Sequence, residues 1–114
     1  RMIRAGSVTG MSLQLDSANN SGAAPASDVD LFVRVYKNSS FLVDGAGVNS
    51  ITSDGDYGNQ ATFIPGTYTF AAGDNLTVEL RYSSANTGET QDLEHIAIMI
   101  EIQTNPTMNL PQSV

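Results

Sequence analysis

Residues 68–83, Y-T-F-A-A-G-D-N-L-T-V-E-L-R-Y-S, decide the fold. From Asn75 onward, Leu76, Val78, Leu80 and Tyr82 alternate with Thr77, Glu79, Arg81 and Ser83. A period of two with one apolar and one polar face predicts a strand with one side in the core and one in water. Just upstream, Tyr68 and Phe70 alternate with Thr69 and Ala71, so a second strand leads into the same corner. Gly73 can take the positive φ that such a corner needs, and Asp74 can cap it through its side chain.

Working outward, the same period recurs. Residues 7–16 set Thr9, Met11, Leu13 and Leu15 against Val8, Gly10, Ser12, Gln14 and Asp16, and residues 30–37 set Leu31, Val33 and Val35 against Phe32, Arg34 and Tyr36. Residues 92–103 set Ile96, Ile98, Ile100 and Ile102 against Leu93, His95, Ala97, Met99 and Glu101, and the isoleucine face must look into the core. Shorter strands are expected at 41–44 and 61–64, with turns at 38–40 and at Pro65-Gly66. The small, polar segments 17–28, 45–60 and 84–91 read as loops, the second with room for a short strand around 48–52. No i, i+3, i+4 stripe survives. Short strands about ten residues apart predict an all-β protein, an antiparallel β-sandwich in one domain over residues 1–104, with Pro106 and Pro111 making 105–114 a tail.

The 114 residues contain no cysteine, which excludes disulfides, thiolate metal sites and cysteine nucleophiles. Five basic against twelve acidic residues give a net charge of −7, which disfavours nucleic acid and anionic bilayers as partners. The strongly apolar run 96–100 is far too short for a membrane span, so no membrane insertion is expected.

Two faces that should be polar are not. Leu93, His95, Ala97 and Met99 form an apolar strip broken by the chain's one histidine, and Phe32, Arg34 and Tyr36 are of the types enriched in protein interfaces. If these strands are neighbours in one sheet, their outer faces add up to a subunit interface. A loop of the same chain folded over them accounts for the same letters. His95 stands mid-strand among apolar neighbours, which fits packing better than catalysis. Asp54, Asp56 and Tyr57 share a flexible loop whose two carboxylates suit a hard cation such as calcium, and whose aromatic ring could stack on a sugar. The spacing does not fit an EF-hand, since Gly58, Asn59 and Pro65 occupy its fifth, sixth and twelfth positions, and plain turns also explain these letters. No catalytic carboxylate pair or other cofactor site is legible.

Four pieces carry a family resemblance: R-A-G-S-V-T-G-M-S-L at 4–13, V-R-V-Y-K-N-S at 33–39, Y-T-F-A-A-G-D-N-L-T-V-E-L at 68–80 and I-A-I-M-I-E-I at 96–102. Together they resemble the trimeric jelly-roll domains of tailed-phage fibres and capsid knobs, within the wider C1q/TNF-like sandwich. Members of that group often have K-N-G where this chain has Ser39 in place of the glycine, and later an aromatic-x-x-G-D corner. The resemblance implies jelly-roll topology and a homotrimer, with the first strand, the last strand and the one ending in K-N side by side facing the threefold axis. It also implies a non-enzymatic virion module: the distal domain of a head or tail appendage on the particle surface, presenting loops to a host glycan or protein. The alternative from another class is a carbohydrate-binding β-sandwich module of a secreted protein.

Overall fold

β1 (Gly6–Asn19) is the strand on which one half of the protein is assembled. In the computed structural model, which describes residues 1–19, 29–51, 56–84 and 92–105, it pairs on one side with β7 (Asp92–Thr104) along its whole length. On its other side lie β4 (Tyr57–Thr62) and the two-residue β5 (Thr69–Phe70), both antiparallel to it. β4 and β5 are one strand interrupted by an excursion at Pro65-Gly66, where Thr67 N–H closes a turn on the Ile64 carbonyl at 3.2 Å. The second sheet has the order β3 (Ser40–Ile51), β2 (Val29–Lys37), β6 (Leu76–Ser84), again antiparallel throughout. Every regular element among the described residues is a strand, and two antiparallel sheets meet in one core, as in a β-sandwich.

The core follows from the alternation, with one correction. Met11, Leu13 and Leu15 of β1 are buried as their spacing requires, and so are Leu31, Val33 and Val35 of β2. Val8 is buried with them although it falls on the opposite parity, because Thr9 is an extra residue: Val8 pairs with Ile102 and Gly10 already with Glu101. Such a bulge shifts the faces by one position. The Thr9 hydroxyl, left near the core boundary, donates to Glu101 Oε1 at 2.8 Å.

Residues 45–60 are not one loop. β3 runs through Gly45 to Ile51, and Val43, Ala46 and Val48 all reach the core because the β2–β3 register shifts repeatedly and Ala46 has φ 53°. Bulges here break the period of two, which is why a glycine-rich strand reads as a loop. The β2–β3 turn is as expected, with Asn38 and Ser39 at φ 50° and 69° between paired Lys37 and Ser40. Two successive positive φ values give the I′ type that matches strand twist.

The Gly73-Asp74 corner is also as expected, with Gly73 at φ 91°. Asp74 Oδ2 accepts from Ala71 N–H at 2.7 Å, and its Oδ1 accepts from the Asn38 side-chain amide at 2.8 Å, tying this corner to the β2–β3 turn. The Ala71 amide first, and Asn38 second, hold the Asp74 carboxyl below its ordinary value. A depressed carboxylate stabilises the fold above the unfolded value near about 4, and that contribution is lost as pH falls through the lower folded value. Asp74→Ala should therefore lower the Tm at pH 7, and the gap to wild type should shrink below about pH 4 in a series of melts. A gap that does not narrow in acid would show that the carboxylate charge is not what matters.

Candidate functional site

On the outer face of the β3-β2-β6 sheet, Phe32, Arg34 and Tyr36 are half-buried by one another and by their neighbours. The Arg34 guanidinium lies between two rings, 5.4 Å from the Phe32 centroid and 5.2 Å from that of Phe41. It also pairs with Asp44 at 3.1 Å, its opposite number across the β2–β3 ladder. One position along, Arg81 donates to the Tyr36 hydroxyl at 3.2 Å and to Glu79 at 3.1 Å. Bulk on this face is thus largely spent within the chain, as a ladder of cation–π contacts and partly exposed ion pairs.

Leu93, His95, Ala97 and Met99 are elsewhere. β7 belongs to the sheet of β1 and β2 to the other, so the two strips do not adjoin and cannot form one patch. The first and last strands are neighbours, but the strand ending in K-N is not beside them. The bulk on β2 reflects its central place between β3 and β6, where side chains on both faces have neighbours. Ala97 faces Gln14 and Met99 faces Ser12 across the β1 ladder, and Met99 is 69% exposed. His95 is exposed and holds φ 56°, an uncommon conformation for a residue with a side chain.

Asp54 lies outside the described residues. Asp56 is exposed beside the start of β4, and Tyr57 opens that strand opposite Leu15, where its ring packs partly against the core. A shallow depression runs from Asp56 and Tyr57 over Ser12, Gln14, Asn59 and Gln60. Among the described residues no three His, Cys, Asp or Glu side chains converge on a common point.

The feature that sequence reading missed is an open side. β3 and β4 pack together and close the two sheets along one margin, whereas among the described residues β6 and β7 share next to no contact at the other. Ile96, Ile98, Ile100 and Ile102 pair with Leu15, Leu13, Met11 and Val8 and so do look inward. Yet Ile96, Ile98 and Ile102 are 37–39% exposed, and across the gap Val78 is 43% and Tyr82 75% exposed. Alternation reports which way a side chain points, and carries no signal for whether anything stands above it. No family model, curated protein or solved structure matches the chain.

Proposed function

We propose that this protein is a non-enzymatic structural and adhesion module that works as an assembly of its own copies on the surface of an extracellular particle. The observation that carries this reading is the open margin, where five large apolar side chains from the inner faces of β6 and β7 remain in contact with water. An uncovered core face of this kind marks an association surface. Two carboxylates of these strands are held within the chain, Glu79 of β6 by Arg81 and Glu101 of β7 by Thr9. The jelly-roll resemblance supplies the kind of particle, a tailed-phage virion with the domain at the tip of a head or tail appendage, and it implies three copies. Mass measured by light scattering at micromolar protein tests self-assembly, with more than one 12.1 kDa chain expected; a monomer would overturn it.

Adhesion, in this reading, belongs to the segment 53–59 ahead of and into β4, because loops vary without disturbing the core. Asp54 and Asp56 would accept sugar hydroxyls or hold a calcium ion that does so. Replacing both by Ala should abolish binding to host cells or glycans and leave the Tm unchanged. Undiminished adhesion, with and without a chelator, would move the site to another loop. A second reading, a carbohydrate-binding module, is favoured by the amide-lined depression around Gln14, Asn59 and Gln60, and requires a monomer.

A further inference from the structure

We infer that two copies of this chain pair antiparallel through the free edges of their β7 strands, about a twofold axis passing at Met99. The inference rests on the self-assembly reading, but not on the threefold count that the resemblance implies. Among the described residues β7 hydrogen-bonds only to β1, so its other edge presents unpaired backbone donors and acceptors along thirteen residues. Natural edge strands are guarded by Lys, Pro or inward charges. Between Ile96 and Ile102, β7 has none of these and only one charge, Glu101.

What fits that edge is the strand itself. An antiparallel pair made by a twofold axis brings residue i of one copy opposite residue j of the other and the reverse, so a segment symmetric about one residue sets like opposite like. In I-A-I-M-I-E-I the four isoleucines are symmetric about Met99, and only Ala97 and Glu101 exchange. With Met99 opposite Met99 of the second copy, Ile96 faces Ile102 and Ile98 faces Ile100, and each Glu101 stands opposite an Ala97. The most exposed apolar residue recorded on β7 then meets its own copy. Registers with the axis two residues away on either side are worse. Moving the axis to Glu101 opposes two carboxylates, and moving it to Ala97 sets Ile100 and Ile102 at the positions of Glu94 and Asp92. Directly opposed like charges destabilise a ladder.

The product is one continuous sheet, β4-β1-β7 running into β7-β1-β4 of the second copy. A twofold axis perpendicular to the sheet keeps both inner faces on the same side, so eight isoleucines form one floor. The two β6 strands flank it, which brings Val78 and Tyr82 of each copy toward a covered space. One contact thus pairs the free edge and brings the open margins of the two copies together.

Met99→Cys and Ala97→Cys, made singly in a chain without cysteine, test the pairing and its register. Opposed Cα atoms in an antiparallel pair are about 4.5–5.5 Å apart, within disulfide reach, whereas the two Ala97 would be offset by four residues, about 13 Å. Mild oxidation should convert most of Met99→Cys to a covalent dimer and leave Ala97→Cys monomeric on a denaturing gel. Native mass should be twice that of one chain, and Met99→Lys should weaken association about 5-fold by opposing two like charges. A native trimer, or equal cross-linking of the two cysteine variants, overturns the twofold pairing and leaves self-assembly standing. A monomer overturns both, and protection in that monomer of the alternate 96–102 amides that point away from β1 would assign the edge to another segment of the same chain.

Discussion

Leu13→Ala should cost about 2–5 kcal/mol, while Ile98→Ala, directly opposite it on β7, should cost clearly less in dilute protein. Both side chains point inward, and by alternation alone they are equivalent. Leu13 is 1% exposed and lies among Val8, Leu15, Leu31 and Val33, so truncation leaves a cavity that well-packed neighbours cannot fill. Ile98 is 37% exposed, so part of its surface has never left water and the transfer contribution shrinks in proportion. Urea melts at two protein concentrations give the comparison. If β7 pairs with a second copy, the cost of Ile98→Ala should rise with concentration, because the dimer buries what the single chain exposes. Equal costs for the two variants in dilute protein would mean that the β7 face is already covered within one chain.

The same pair of residues shows how far the sequence can be read. All-β structure, the inward sets on β2 and β6, the Asn38-Ser39 turn and the Gly73-Asp74 corner follow from period and turn chemistry, which are local and therefore visible in a linear chain. β3 is legible only in pieces, at 41–44 and around 48–52, because its bulges spoil the period between them, and Val8 is misplaced because one extra residue at Thr9 exchanges the faces beyond it. The neighbour relation proposed between β7 and β2 failed for another reason. Strand order is a long-range property, and two strands with similar faces can belong to different sheets. Of the candidate loop, Asp56 is exposed where a ligand could reach it, but Tyr57 is partly spent on the core, which its aromatic identity alone does not disclose. Nothing in the letters 76–84 and 92–104 tells that the margin between those strands stands open.

Among the described glycines with ordinary backbone angles, Gly6→Ala should be the most damaging substitution, with a loss of about 1–3 kcal/mol and toward the upper end of that range. Gly6 opens β1 where three segments converge: it pairs with Thr104 of β7 on one side and Phe70 of β5 on the other. A Cβ there would overlap the Gln103 carbonyl oxygen, stand 2.9 Å from Thr104 Cα and touch the Phe70 ring at 3.0 Å. Two of those three are backbone and cannot rotate away. Relief requires β7 to move off β1, and the Asn105 N–H to Ala5 carbonyl bond of 2.8 Å sits next to the point of separation. Gly10→Ala is the control on the same strand. Its nearest neighbour would be Glu101 Cβ at 3.3 Å, on a side chain of a partly free edge strand, so a few tenths of an ångström suffice. The expected result in denaturant melts is a large loss for Gly6→Ala and a small one for Gly10→Ala. Hydrogen exchange should show the Gly6→Ala damage spreading along residues 101–105 of β7 before it reaches β2. The reverse order of the two variants would mean that β1 and β7 do not approach closely at this end, and the register that places the isoleucines over Leu13 and Leu15 would fall with it.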